Sequence, residues 1–438
     1  MSLQREFQAA RRVFGNILRT RKHRAAVSRV RSQHERTDPG SIEIVVYFAD
    51  SPVNLYQLRQ WYGPLEALAE HHRVGILARS PGTALRLWEE TTLPTWAVTQ
   101  VKDLEDFIAH RGIKLVLYVN QNAKNFQMMR YGRMWHVFIN HGESDKMYMT
   151  TNQFKTYDYA MIAGSAAVER LRAKLWDYDT ESRTLQIGRP QADHMRGTPP
   201  YPADGRISVL YAPTWEGDRA AAAYGSIASH GEQIASAVLA SPEHRLIYRP
   251  HPRSGVVDHA YKAAHQRIVR AIAAANQADP SARHLYDTGS SITWQLSATD
   301  VAITDVSAMI YDRLACGLPL LVTRPANPEA DVDERGYLSA CEWLRVEDLG
   351  GILAELDRVT TDEHARAQLA HYAEHYFGDT TPGVATERFH AAVEQLIRVW
   401  FEHAEQHRTD VFELEVDDDV EVPDTARRSA ESDGSLSD

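Results

Sequence analysis

Cysteine and long apolar runs are scarce in this chain. Only two cysteines, Cys316 and Cys341, occur among 438 residues. This number excludes a disulfide framework and a cysteine-based zinc cluster, and it fits a reducing compartment. The longest apolar runs, such as residues 42–49, have the length of a strand, so the sequence predicts no transmembrane helix. The amino terminus lacks the apolar core of a secretory signal, which predicts a cytoplasmic protein.

Several common catalytic motifs are also missing. The chain contains no Gly-x-x-x-x-Gly-Lys-Ser/Thr phosphate loop and no Gly-x-Gly-x-x-Gly loop. It likewise contains no His-Glu-x-x-His zinc helix and no Gly-x-Ser-x-Gly nucleophile elbow. We therefore expect a reaction that requires neither a bound metal nor a cofactor.

Charge is distributed unevenly around a net value of −11. Residues 1–36 contain ten Lys and Arg against two Glu, and their apolar residues recur at helical spacing. Such a cationic amphipathic helix is typical of contact with an anionic membrane surface. Docking on the rest of the protein and contact with nucleic acid are the alternatives. The acidic remainder of the chain argues against a nucleic-acid partner.

The carboxyl terminus carries the opposite charge. Residues 410–438 contain eleven Asp and Glu against two Arg. High net charge with few apolar residues predicts a disordered segment. A role in binding a partner or in autoinhibition is the functional alternative.

Strand-like and helix-like segments alternate between these ends. Continuous apolar runs such as residues 42–49 are typical of buried parallel strands, and residues 55–71 have helical spacing. The alternation stops at the turn-rich segment 198–205 and then resumes. Single helices between strands favour right-handed crossovers in parallel sheets. We therefore predict an α/β protein with two Rossmann-like domains facing a cleft, preceded by a basic helix and followed by an acidic tail.

The predicted divisions follow these changes of pattern. They are a basic head over residues 1–40, a first domain over 41–198, a second domain over 206–383, a long helix over 384–406 that crosses back over the first domain, and a disordered acidic tail over 407–438.

Four segments place polar or basic residues just after apolar runs. They are residues 140–142, 211–215, 249–252 and 303–312. In α/β proteins, the loops that leave the carboxyl ends of strands bind ligands. The side chains in these segments are mostly His, Arg, Ser and Thr, which suit an anionic ligand such as a phosphate.

The first of these segments contains a candidate general base. His141 follows an apolar run and precedes Gly142, which allows close approach of a ligand to the backbone. Lys146, in the same loop, is a candidate phosphate contact. The alternative is that His141 only hydrogen-bonds its own loop.

The next two segments offer binding groups. Thr214 supplies a hydroxyl, and Trp215 supplies an apolar wall, although Trp215 could equally seal a domain interface. Arg249 can hold two phosphate oxygens, and His251 adds another donor. A surface turn with a salt bridge is the alternative for Arg249.

The last segment predicts a strand that runs into a helix. Thr304 or Asp305 is the expected N-cap, and free backbone N–H groups together with the Ser307 hydroxyl predict an anion site. Asp312 lies five residues beyond Ser307, which puts it on another helix face. A ligand contact and a structural salt bridge are both open for Asp312.

Taken in order, these segments resemble the CDP-glycerol glycerophosphotransferase family of teichoic acid primases and polymerases. The resemblance spans residues 42–400. The matching positions are His141, Gly142, Lys146, Tyr211 to Trp215, Arg249 to Pro252, Thr304, Asp305, Ser307, Asp312, Phe377, Gly378, Asp379, Gly383, Ala385 and Arg388. Two departures stand out. Glu143-Ser144-Asp145 replaces the usual Thr-Pro-Leu at the place where an acceptor would enter. Ala308 replaces a second Ser, which removes one hydroxyl that could contact the phosphate of the donor.

The resemblance implies a GT-B fold and a peripheral enzyme on the inner face of the cell membrane. It implies transfer of glycerol phosphate from CDP-glycerol, or from a related CDP-polyol, to a hydroxyl of a lipid-linked cell-surface glycan, with release of CMP. Such reactions serve teichoic acid or capsule synthesis.

The resemblance also assigns roles to the matching residues. It implies catalytic roles for His141 and His251, with His141 as the base. The implied donor-phosphate contacts are Arg249, Thr304, Asp305, Ser307 and Arg388, and the implied substrate contacts are Gly142, Lys146, Thr214, Trp215 and Asp312. A GT-B nucleotide-sugar glycosyltransferase or epimerase and a non-catalytic membrane scaffold are the competing hypotheses.

Overall fold

Two parallel β-sheets form the framework of the protein. The computed structural model describes residues 20–35, 42–109, 111–143, 150–195, 197–289 and 292–407. Within these ranges, the predicted basic head contributes helix α1, residues 20–34. The rest of the head, Lys146 and the acidic tail beyond His407 lie outside the described residues.

The first sheet contains seven strands in the order β3-β2-β1-β4-β5-β6-β7, and all its pairings are parallel. The strands are β1 Ile44–Phe48, β2 Val74–Ala78, β3 Thr95–Ala97, β4 Leu115–Tyr118, β5 Trp135–Phe138, β6 Tyr159–Ile162 and β7 Thr184–Gln186. Every residue of β1 and β2 is buried, because helices cover both faces of a parallel sheet.

The helices of this first unit connect consecutive strands. They are α2 Tyr62–Leu68, α3 Pro81–Glu90, α4 Val101–Ala109 and α5 Ser165–Lys174. This unit also contains single-turn helices at Tyr56–Arg59, Phe126–Met129, Thr180–Arg183 and Pro190–Asp193. The predicted helix over residues 55–71 is therefore divided in two, with a break between Arg59 and Tyr62.

The second sheet contains six parallel strands in the order β10-β9-β8-β11-β12-β13. The strands are β8 Ile207–Ala212, β9 His244–Tyr248, β10 Leu285–Tyr286, β11 Val301–Thr304, β12 Leu320–Thr323 and β13 Trp343–Leu344. The helices are α6 Glu232–Ala240, α7 His259–Ala278, α8 Ala308–Leu314, α9 Ile352–Thr361 and α10 Glu363–Phe377, with a single turn at Trp294–Ser297.

The final helix, α11 Val384–Gln406, packs against the first sheet although it follows the second one in sequence. Phe389 and Val393 lie in the same apolar core as strands β1 and β2, and the Phe389 ring lies 5.3 Å from the Trp61 ring between centroids. The Trp400 indole N–H donates to the backbone oxygen of Arg133 at 2.8 Å. The helix therefore ties the end of the chain to the first unit.

Two glycines allow the end of α10 to approach the first sheet. A Cβ at Gly164 would lie 2.6 Å from the backbone oxygen of Tyr376. Gly188 has a φ of +71°, and a Cβ there would lie 3.0 Å from the backbone oxygen of Phe377. A side chain at either position would push the second unit away from the carboxyl edge of the first sheet.

The predicted fold class, an α/β protein with two Rossmann-like parallel sheets, is confirmed. Three strands were not predicted, namely β7, β10 and β13. Each has two or three residues and lies at a sheet edge, where the apolar run that identifies a central strand is absent. The exact domain boundaries stay a prediction.

Candidate active site

The carboxyl edges of the two sheets meet through an ion pair. Arg189 follows β7 of the first sheet, and Asp312 lies on α8 beyond β11 of the second. An Arg189 Nη2 atom and an Asp312 Oδ1 atom are 2.5 Å apart. The loops that bear the predicted site residues leave strands at these two edges, so the contact brings the predicted segments toward one cleft.

His141 lies on this edge, in the loop after β5. Its Nδ1 atom is 3.0 Å from the backbone oxygen of Val119. A carbonyl oxygen can only accept, so in the neutral ring Nδ1 carries the hydrogen and Nε2 keeps its lone pair. Burial lowers the pKa of His141; the hydrogen bond to Val119 and the charge of Asp312 oppose this, whereas Arg189 reinforces it. The ring is therefore a neutral base whose acceptor atom is Nε2.

The backbone around His141 is held in an unusual conformation. Asn140 has a φ of +55°, which an Asn side chain tolerates better than most. Its Oδ1 accepts the His141 N–H at 2.8 Å, and its backbone oxygen accepts the Trp61 indole N–H. These bonds fix the direction in which the histidine leaves the strand.

A pocket opens behind this loop and encloses about 560 Å³, part of it open to solvent. Trp61, Gly142 and Arg189 line it from the first unit, and Phe377 lines it from the end of α10. Glu143, also in the wall, is buried and forms an ion pair with Arg170. The departure from the family pattern at Glu143 thus places a paired carboxylate in the same loop as His141.

His251 occupies the corresponding loop of the second sheet, after β9. Its Nδ1 accepts the backbone N–H of Arg253 at 3.1 Å, so the neutral ring carries its hydrogen on Nε2. Burial lowers the pKa of His251, and the charge of Arg253 lowers it further. This neutral histidine is a hydrogen-bond donor through Nε2.

The two arginines of this loop contact other groups of the protein. Arg249 forms an ion pair with Asp287, at 2.7 Å, and donates to the backbone oxygen of Gly289 at 2.9 Å. The guanidinium of Arg253 lies 3.8 Å from the centre of the Trp215 ring. Arg249 therefore shapes the loop in this structure, and its predicted contact with phosphate gains no support from its position.

The N-cap prediction for Thr304 and Asp305 was wrong. Helix α8 begins at Ala308, and its N-cap is Ser307, whose hydroxyl oxygen accepts the Met309 N–H at 3.3 Å. Both Thr304 and Asp305 are 0% exposed, so neither side chain faces the cleft in this structure. Ser307, which is half-buried, keeps its hydroxyl hydrogen for another acceptor.

Asp305 instead joins three segments of the second unit. Its Oδ2 accepts backbone N–H groups from Thr214, at 2.7 Å, and Ser226, at 3.1 Å. Its Oδ1 accepts the Thr323 hydroxyl at 2.6 Å. Burial raises the pKa of Asp305 to about 6, although these hydrogen bonds favour the charged form. The backbone oxygen of Pro213, the residue before Thr214, accepts the backbone N–H of His251 at 3.0 Å. Asp305 therefore supports the loop that carries His251.

The other predicted residues have varied positions. Thr214 and Trp215 are half-buried in the loop after β8, at the cleft edge. Asp312 forms the salt bridge that was one of its two alternatives. Arg388 donates to the backbone oxygen of Phe377 at 3.3 Å and so supports the turn after α10.

Arg189 is the residue that sequence reasoning missed. The segment Gly188-Arg189-Pro190 follows β7, just as Arg249-Pro250 follows β9. A basic residue before proline at a strand end was thus a visible signal. It was overlooked because β7 has only three residues and was not predicted as a strand.

Within the described ranges, no group of three or more His, Cys, Asp and Glu side chains is arranged to hold a metal ion. No helix in the described part of the chain is long and apolar enough to cross a membrane.

Comparison with solved structures supports the GT-B architecture. A structure assigned as a UDP-N-acetylglucosamine 2-epimerase from Listeria monocytogenes matches with a TM-score of 0.56 and 14% identity, covering 82% of this chain and 98% of that chain. The wall teichoic acid polymerase TagF, with a histidine-to-asparagine substitution and soaked with CDPG, matches with a TM-score of 0.51 and 15% identity, covering 92% of this chain and 100% of that chain. S. aureus MnaA with UDP matches with a TM-score of 0.50 and 12% identity, covering 82% and 97%.

Sequence comparison is more specific than these shared folds. No curated protein sequence matches the chain significantly. Residues 126–337 match the model of the CDP-Glycerol:Poly(glycerophosphate) glycerophosphotransferase family, and this range includes His141, His251 and Asp312. The predicted resemblance is thereby confirmed, and family and fold together support a CDP-glycerol transferase activity. Residues 126–337, just under half of the chain, are therefore similar to the CDP-glycerol:poly(glycerophosphate) glycerophosphotransferase family.

Proposed function

We propose that this enzyme transfers glycerol phosphate, or a related polyol phosphate, from a CDP-activated donor to a hydroxyl of a lipid-linked cell-surface glycan, releasing CMP. The observation that carries the proposal is the neutral His141 at the cleft edge, inside the matched family region, with its Nε2 lone pair available. No metal and no cofactor has a part in the proposed reaction.

His141 acts as the general base in this reaction. Nε2 takes the proton of the acceptor hydroxyl as the hydroxyl oxygen attacks the phosphorus that carries the glycerol. A new oxygen–phosphorus bond forms, and the anhydride bond to CMP breaks. CMP leaves with the bridging oxygen and its electron pair. The Nδ1–H bond to Val119 holds the ring in the tautomer that this step needs.

His251 supplies the complementary function on the other side of the cleft. Its Nε2–H donates to a phosphate oxygen of the donor as the anhydride bond breaks, and the Ser307 hydroxyl adds a second donor. Phosphoryl transfer depends mainly on positioning and on charge stabilisation, so fixed donors contribute without a covalent intermediate. Lys146, Thr214 and Trp215 are further candidate substrate contacts.

A nucleotide-sugar enzyme is the second candidate, because the epimerase from Listeria monocytogenes has the same fold. Folds of this class host many chemistries, whereas the family match is specific to glycerophosphotransferases. The test is to incubate the purified chain with a lipid-linked glycan and CDP-glycerol, CDP-ribitol or UDP-N-acetylglucosamine. We expect acceptor-dependent release of CMP from a CDP-polyol. Turnover of the UDP-sugar alone would favour the second candidate.

We also propose that the enzyme works on the inner face of the cell membrane, held there by residues 1–36. The ten basic residues of this segment would attract anionic lipids. A variant without these residues should remain in the supernatant when anionic vesicles are sedimented, whereas the intact chain should sediment with them. Equal sedimentation of both proteins would contradict the membrane role.

A further inference from the structure

Two predicted cations of the described residues, Arg249 and Arg388, bind other groups of the protein, and Lys146 lies outside the described residues, so a further cation beside the attacked phosphoryl group is the question here. This question rests on the proposed function. The acceptor oxygen must lie within hydrogen-bond reach of His141 Nε2 and about 3–3.5 Å from the phosphorus. The transferred phosphoryl group therefore lies beside the His141 loop. Arg249 pairs with Asp287 and Gly289, and Arg388 supports the turn at Phe377.

Arg189 has the position that this role requires. A Cβ built on Gly142, the residue next to His141, would lie 3.7 Å from Arg189 Nη1. The guanidinium is also close enough to His141 to influence its charge state. No side chain stands between the Gly142 backbone and the guanidinium, so a small anion bound there would contact both the cation and the histidine loop.

The surroundings of Arg189 favour an anionic partner. The residue is only 6% exposed, and its Nε has no hydrogen-bond partner in the described structure. Gln60 Oε1 accepts a hydrogen bond from Arg189 Nη2 at 3.3 Å. The negative charge that balances the guanidinium belongs to Asp312, whose side chain is 17% exposed. A buried guanidinium strongly favours a charged partner over water, and phosphate oxygens match its geometry as well as a carboxylate does.

We propose that Arg189 is the cation that binds the transferred phosphoryl group, and that Asp312 holds its guanidinium until the phosphate of the donor replaces the carboxylate. Asp312 belongs to the second unit, so this exchange links donor binding to the contact between the two units. The guanidinium is paired both before and after the exchange, whereas the Asp312 carboxylate, whose side chain is 17% exposed, gives up its partner.

Calorimetric titration with CDP tests this exchange, with cytidine as the probe that lacks phosphate. We expect Arg189→Gln to weaken CDP binding by about 10- to 100-fold, as for loss of a charged hydrogen bond, and to leave cytidine binding unchanged. Arg189→Lys should be intermediate because Lys retains the charge without the planar fork. Asp312→Asn should strengthen CDP binding several-fold, because the competing carboxylate is gone.

Arg245→Gln is the matched control for breaking a buried ion pair. Arg245 is 1% exposed and pairs with Asp204 at 2.7 Å, at the start of β9 and away from the carboxyl edge. This variant should bind CDP like the natural protein. Unchanged CDP binding by Arg189→Gln, or weaker binding by Asp312→Asn, would overturn the exchange.

The same experiment separates this inference from the proposed function. If UDP binds with the expected dependence on Arg189 and Asp312 while CDP does not bind, the donor assignment fails and the exchange stands. If CDP binds and supports acceptor-dependent CMP release but Arg189→Gln changes neither, the exchange fails and the proposed function stands.

Discussion

The two histidines of the cleft, His141 and His251, have similar positions but opposite hydrogen-bonding states. Each follows a strand at the carboxyl edge of its own sheet, and burial lowers the pKa of each. His141 donates from Nδ1 to a carbonyl oxygen, whereas His251 accepts an N–H at Nδ1. The first ring therefore presents a lone pair at Nε2, and the second presents a hydrogen. The difference shows that the backbone partner of a histidine decides which ring nitrogen carries the hydrogen, and the proposed roles of base and donor follow from that.

Replacing His141 should have the largest effect. In His141→Gln, an amide cannot take a proton at neutral pH, so we expect kcat for CMP release to fall by about 1,000-fold. Steady-state assays with saturating CDP-glycerol and acceptor measure this loss. A fall of less than about 10-fold would exclude His141 as the base.

His251 should respond differently to the same kind of substitution. His251→Ala removes the donor, and we expect kcat to fall by about 100-fold. His251→Gln restores an N–H and should recover a large part of that loss. Equal activity of the Ala and Gln variants would show that the side-chain N–H of His251 has no role. If His141→Gln also retained much of the activity, the proposed difference between the two histidines would be wrong.

Of the two histidines, only His141 should shape the pH dependence of the reaction. The proposed reaction needs neutral His141, whose pKa is lowered by burial, so kcat/KM should fall with pH only below the ordinary histidine value of about 6.5. His251 donates from Nε2 in either charge state and adds no acid limb. Because Asp312 raises the pKa of His141, Asp312→Asn should move the acid limb to lower pH. An acid limb above pH 7 would contradict this assignment.

A smaller effect tests the support beneath His251. The pKa of Asp305 is raised to about 6 in the folded protein, from an ordinary value near 3.9, so the folded state binds the proton more tightly. Asp305 therefore contributes to the free energy of unfolding below pH 4. This contribution, roughly 3 kcal/mol, is lost as the pH rises to 6. In Asp305→Asn this pH dependence should disappear.

Thermal unfolding midpoints of the two proteins between pH 4 and 7 measure this effect. Other groups titrate in the same range, but they contribute equally to both proteins. A constant difference between the midpoints across this range would show that Asp305 does not titrate there.

The sequence was sufficient to predict the two parallel sheets and the loops that carry both histidines. Buried central strands are continuous apolar runs, and the polar residues that end them are visible in the sequence. Short edge strands such as β7 lack this pattern, and the site residue Arg189 was missed with it.

Long-range pairing explains the other differences. Arg249 pairs with Asp287, which lies 38 residues away, and Asp305 accepts from Thr214, which lies 91 residues away. No local pattern shows such partners. Asp305, which was predicted as a helix cap, is instead a buried support, and the phosphate contact of Arg249 stays a prediction. The tautomers of the histidines also depend on partners of this kind, since Val119 is 22 residues from His141.

The most direct test of the comparison is a long-range ¹H–¹⁵N NMR spectrum of the protein with ¹⁵N-labelled histidine, recorded at pH 8. This spectrum shows which ring nitrogen of a neutral histidine carries the hydrogen. The signals that disappear in His141→Gln and His251→Gln assign the two rings among the 20 histidines. We predict the hydrogen on Nδ1 of His141 and on Nε2 of His251. The same tautomer at both positions would contradict the division into a base and a donor.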